Sequence, residues 1–131
     1  MTDKYFKDFE SWNKLKVELD KCTKLPSFKE REVWWVNIGV NVGFEIDGKH
    51  EPFHRPVIVL KKFSRRTFIG VPLTTKIKDF PYYHHFQFKD QKQCAILNQI
   101  RLFDSKRLSD QLGKITPTQF RKIKHEVKEM F

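Results

Sequence analysis

Arg55 opens an apolar run, RPVIVL, and Thr74 and Thr75 close another, TFIGVPLTT. A planar guanidinium fork beside a hydroxyl is a donor set matched to a phosphodiester. RNA carries its own nucleophile, the 2′-hydroxyl next to each phosphorus. A protein that orients that group, moves protons and stabilises the added negative charge can therefore cut the chain without a metal. Arg55 and Thr74 suffice for the last of these tasks. The residue types alone also fit a plainer reading, in which Arg55 is a solvated edge charge and Thr74 a strand-end hydroxyl.

Other chemistries find less support. No His, Cys, Asp and Glu cluster has metal-ligand spacing, and no Gly-rich loop precedes a helix, so neither a metal centre nor a phosphate-binding loop is expected. His84 and His85 are adjacent on a strand-like segment, which points them to opposite faces and prevents them from chelating one ion. Nothing marks Cys22 or Cys94 as a nucleophile, and their separation implies no disulfide framework.

The charge narrows the partner. Net charge is +10, and residues 31–131 hold nineteen Lys or Arg against ten acids. The stretch from Arg55 to Lys78 alone has seven Lys or Arg and no acid, a balance that favours a polyanion: nucleic acid or an acidic protein segment. The N-terminus has no continuous apolar run and no segment approaches the ~20 apolar residues of a membrane span, so a cytoplasmic protein is expected.

The elements that must place these residues can be read from periodicity. Phe6, Phe9, Trp12, Leu15 and Leu19 recur at helical spacing, predicting an amphipathic helix that ends before Pro26. From Glu32, VWWVNIGV changes to strand character, and Gly39 to His54 reads as a long polar loop. PVIVLKKF and TFIGVPL form a predicted hairpin about Ser64–Arg66. YYHHFQF, QCAILNQIRLF and LGKI supply further strands. Thr116-Pro117-Thr118-Gln119 predicts a helix start with a capping box, and Phe120, Ile123, Val127 and Met130 its buried face. The 131 residues thus predict a mainly β fold: helix, five to seven short antiparallel strands curled into a barrel, helix.

Three stretches, REVWWVNIGVNVGFEIDGKH with RPVIVL, then VPLTTKIK, then AILNQIRLFDSKRL, resemble the MazF/PemK toxins of bacterial toxin–antitoxin pairs, in that order and at comparable separations. The resemblance divides the chain into an N-terminal helical extension, 1–30, and a toxin-like domain, 31–131. It implies a small, partly open, SH3-like antiparallel barrel of the CcdB/PemK type with N- and C-terminal helices, usually a homodimer. It further implies a metal-independent, sequence-specific endoribonuclease that cleaves single-stranded mRNA to 2′,3′-cyclic phosphate and 5′-hydroxyl ends, with no cofactor. On matching positions Arg55 and Thr74 correspond to the catalytic residues. Glu45 of the G-x-E loop, with Gln99 and Arg101 of the QIR block, would support the site or touch RNA. The implied partner is a cognate acidic antitoxin that folds on binding.

The pattern departs from the family in places. Phe44 stands where the family loop has Ser, and about five additional residues, His50 to His54, precede Arg55. The insert sets His54 beside Arg55 as a conceivable general base, and Thr75 competes with Thr74 for the same role. Lys49, His50, Arg65, Arg66, Lys76 and Lys78 are candidate groove contacts. Two rival readings stay open: a non-catalytic binding module of the same fold, directed at gyrase or RNA, and a structural barrel whose charge holds an acidic protein.

Overall fold

Strand β2 (His54–Lys62) buries both of its faces. Val57 and Val59 enter one apolar cluster, with Phe28, Trp34, Val36, Phe68 and Phe103. Ile58 and Leu60 enter another, with Val33, Val71, Leu73 and the C-terminal helix residues Phe120, Ile123 and Val127. Side chains alternate along a strand, so a continuous apolar run such as PVIVL is the pattern of a strand covered on both sides. A computed structural model of the chain describes residues 6–49 and 52–131; His50 therefore lies outside the described residues.

Helix α1 (Phe9–Lys21) leads into β1 (Glu32–Asn37), β2 and β3 (Thr67–Thr74). Then come β4 (Tyr83–Phe88), β5 (Gln91–Ile96), β6 (Arg101–Asp104), β7 (Leu108–Lys114) and helix α2 (Pro117–Glu129). The strands form one antiparallel sheet in the order β4-β5-β3-β2-β1-β7 that does not close on itself. Strand β3 gives its curl: the first half pairs with β6 and the last two residues pair with β5, while β2 runs along the other edge. Gly70 in β3 permits this approach, since a Cβ there would stand 2.4 Å from Val57 and 2.9 Å from Phe103.

The predicted hairpin β2–β3 and the mainly β order between two helices are found. Three local expectations are corrected. Trp12 of α1 is buried and Leu15 and Leu19 pack beside it, but Phe6 and Phe9 are exposed, because the apolar surface offered by Val40 and Phe53 matches only the second half of the stripe. His54 belongs to β2, and the preceding segment is folded back on itself by Gly39 N–H to Phe53 O, Gly48 N–H to Gly39 O and Lys49 N–H to His54 O. At α2, Thr116 Oγ1 accepts from Gln119 N–H as a cap should, yet the Gln119 side chain bonds His84 of β4 instead of returning to the cap.

Candidate functional site

Pairing of β2 with β3 sets Val57 opposite Pro72, which brings Arg55, two residues before Val57, and Thr74, two residues after Pro72, to the same end of the strand pair. Both are largely buried, Arg55 at 9% and Thr74 at 7% exposure. The guanidinium is held in plane by two carbonyls: Nε donates to Asp47 O at 2.8 Å and Nη1 to Leu73 O at 3.2 Å. The Thr74 hydroxyl accepts from Lys76 N–H at 3.1 Å, a bond that turns the chain sharply after β3. Thr75 follows on the exposed side.

Asp47 connects this site to the N-terminal segment. Its carboxylate takes Asn41 N–H at 2.6 Å and lies 3.3 Å from Lys7 Nζ, which also donates to the carbonyls of Asn41 and Gly43. Beneath the same loop, Trp12 packs edge-on against Phe53 at 5.9 Å between centroids. Gly39, at φ 88°, is obligatory here, since a Cβ would fall 2.0 Å from the Trp12 ring. Through Lys7 and through Trp12 of α1, the N-terminal segment thus holds the loop whose carbonyl orients Arg55.

Arg55 and Thr74 line one cavity of about 190 Å³ with Trp35, Lys49, His54, Pro56, Leu73, Thr75 and Gln93; no residue of α1 closes it. His54 lies flat on Trp35, centroids 4.1 Å apart at 20°. Burial, then the nearby charges of Arg55 and Lys76, push the Lys49 ammonium below its ordinary pKa. Lys49 and Arg55 thus stand together in the cavity wall with the Lys76 charge nearby, a positive field suited to an anion. Lys76 is exposed, and its contribution is this charge.

The remaining sequence candidates form other groups. Gln99 Oε1 accepts from Ile46 N–H and its Nε2 donates to Phe44 O, pinning the 41–48 loop at two points. Glu45 closes the loop tip by accepting from Val42 N–H and sits close enough to Arg101 to favour its charged form, against the burial that lowers the Arg101 pKa. Arg101 itself stacks over Phe103 at 4.7 Å. Gln99 and Glu45 hold the loop, Arg101 lies near Glu45, and none of the three lines the cavity. Arg65 and Arg66 sit at the turn of the β2–β3 hairpin, the far end from Arg55 and Thr74, about 20 Å away at strand rise. Lys78 is exposed and its carbonyl accepts from His85. Sequence reasoning overlooked Trp35 and Gln93; Trp35 was legible in principle as the odd member of the VWWV alternation, whereas Gln93 carried no signal.

His84 and His85 do point apart, His84 toward Gln119 and Glu126 of α2 and His85 to the surface.

A search of curated proteins by sequence finds no match. Among solved structures, MazF (Form-I) from Deinococcus radiodurans is similar at TM-score 0.64 and 16% identity, covering 82% of this chain and 96% of that one. An endoribonuclease in complex with its cognate antitoxin from Mycobacterial species is similar at 0.57 and 17%, covering 79% and 93%. The MazE-MazF (Form-II) structure from Deinococcus radiodurans gives 0.60 and 16%, covering 82% and 95%. At such identities these likenesses concern the fold. The family model described as PemK-like, MazF-like toxin of type II toxin-antitoxin system matches residues 29–131, and the chain belongs to that family.

Proposed function

We propose that the chain is a metal-independent endoribonuclease acting on single-stranded RNA, with its reaction centre in the cavity between β2 and β3. The observation that carries this reading is that Arg55 of β2 and Thr74 of β3 line one cavity with Lys49 and His54, the Arg55 guanidinium being bonded to the Leu73 carbonyl next to Thr74. A phosphodiester placed there meets a guanidinium of fixed orientation and a hydroxyl on the same side. In the reaction the 2′-oxygen bonds to phosphorus, the bond from phosphorus to the 5′-oxygen breaks, the cyclic phosphate remains on one fragment, and the departing 5′-oxygen takes a proton from solvent to become the 5′-hydroxyl of the other. Arg55 and Thr74 stabilise the charge that accumulates on the non-bridging oxygens. Arg55 keeps its proton throughout, as guanidinium does in proteins. His54 is the cavity residue whose side-chain type exchanges protons near neutral pH, and it takes the 2′-hydroxyl proton.

The family relationship and the solved complexes of relatives with antitoxin support a cognate antitoxin as partner. Its acidic segment would compete for the Lys49, Arg55 and Lys76 mouth. Homodimerisation is supported by apolar area left open at the loop tip, where Val42 and Phe44 are exposed. Within the extension, Lys7 and Trp12 brace the loop, and the extension stands outside the reaction itself.

Incubation of purified protein with single-stranded RNA in EDTA tests the reading. Fragments ending in a 2′,3′-cyclic phosphate are expected, with Arg55→Ala slower by at least about a hundredfold. Intact RNA, or equal cutting by Arg55→Ala, would refute it; retained RNA binding without cutting would instead favour the binding-module reading.

A further inference from the structure

Gln93 contributes a feature to the cavity that the cleavage chemistry does not use. It is 7% exposed, lines the cavity with Arg55, Thr74 and Thr75, and its Oε1 is buried with no hydrogen-bond donor among the described residues. The β3–β5 register pairs Thr74 with Cys94; continued by one residue, it sets Gln93 opposite Thr75, one strand over from the phosphate-oriented pair. A buried amide oxygen without a donor is unfavourable, and native folds retain few of them. A donor supplied by a ligand would satisfy it.

The chemistry of that donor can be narrowed. A phosphate oxygen is an acceptor and cannot serve. Beside the cations, the cavity wall is flat and apolar, built from Trp35 with its stacked His54, Pro56 and Leu73, a surface suited to the face of an unstacked base. The amide of a Gln turns about a soft terminal torsion, so Oε1 can swing to meet a group entering beside Thr75. A carboxamide pairs well with a base offering an amino group next to a ring-nitrogen acceptor, as adenine does, and cytosine offers the same pair.

We propose that Gln93 selects the base beside the phosphate held by Arg55 and Thr74, its Oε1 accepting from the exocyclic amino group of adenine or cytosine. This rests on the reading of the cavity as an RNA site. Short single-stranded oligodeoxynucleotides, which lack the 2′-hydroxyl and are not cut, allow affinity to be read by fluorescence anisotropy. Oligo(dA) is compared with the same oligomer of purine deoxyriboside, and oligo(dC) with that of pyrimidin-2-one deoxyriboside; each comparison deletes the amino group alone. In at least one pair the wild-type chain is expected to bind the amino-bearing member about tenfold more tightly.

In Gln93→Leu and Gln93→Met, both near volume-conserving, that ratio should fall to within about twofold while Tm rises by a few degrees, because an unsatisfied buried oxygen is removed. An unchanged ratio in both variants overturns the proposal. So does a loss of affinity confined to RNA, which would assign the donor to a ribose hydroxyl. If the wild type cuts RNA but shows no preference within either pair, base selection fails while the nuclease reading stands. If it binds no single-stranded nucleic acid at all, both fail.

Discussion

Arg55 lies at the start of one strand, just after His54, and Thr74 ends the next, so their meeting depends on antiparallel pairing and on nothing either residue does alone. The two threonines separate at this scale: Thr74 is buried in the cavity wall and tied to Lys76 N–H, whereas Thr75 is exposed. Thr74→Val is expected to slow RNA cleavage by about a hundredfold or more, against less than tenfold for Thr75→Val, in single-turnover assays. His54→Gln should lower the rate by about 10²-fold or more and flatten its pH dependence near neutrality; a preserved profile would remove His54 from proton transfer. Lys49 gives a second pH signature. Its ammonium is disfavoured in the fold by burial and by Arg55 and Lys76, so the fold is penalised at pH values below the lowered folded pKa. That penalty fades as pH rises from there to the unfolded value. Lys49→Met should therefore raise Tm slightly at pH 7, lose that gain in strongly alkaline buffer, and bind RNA more weakly.

At the scale of elements, the brace formed by α1 on the loop is the arrangement that periodicity could not reveal. Trp12, Leu15 and Leu19 were legible as one face, but the acceptor of that face, Val40 and Phe53, lies in a segment that read as polar loop. Gly39→Ala is expected to displace the Trp12 ring, raise proteolytic sensitivity of the first thirty residues and weaken cleavage through the Asp47 carbonyl; circular dichroism and limited proteolysis would register it. The β4–β5 connection offers the opposite case. Lys89 and Asp90 both hold positive φ, 51° and 60°, in a two-residue turn that favours Asn-Gly. Asp90→Gly should stabilise the chain by about 0.5–1 kcal/mol in chemical denaturation, since glycine removes the left-handed strain.

For the whole molecule, the +10 charge predicts a polyanion but overstates the contact. Lys49 and Arg55 line the cavity and Lys76 acts on Lys49 from nearby, while Arg65 and Arg66 stand at the far hairpin turn. A single strand held by three cations should give a slope of log affinity against log salt of about −2, measured by filter binding on an uncut oligonucleotide; a far steeper slope would mean that the distant arginines also touch RNA. The chain's own residues determine much of this locally. Apolar runs buried on both faces made PVIVL and GVPL interior strands, the Thr116-Pro117 start fixed the last helix, and the QIR and RPV blocks pointed to the family, because hydrophobic period, cap chemistry and motif are local properties. What only the tertiary structure decided was proximity: that Gln119 answers to His84, that Gln99 serves the loop, that Gln93 reaches the cavity and that Arg65 does not. Those outcomes depend on strand order and register, which arise from the packing of distant segments and leave no trace in the residues on either side.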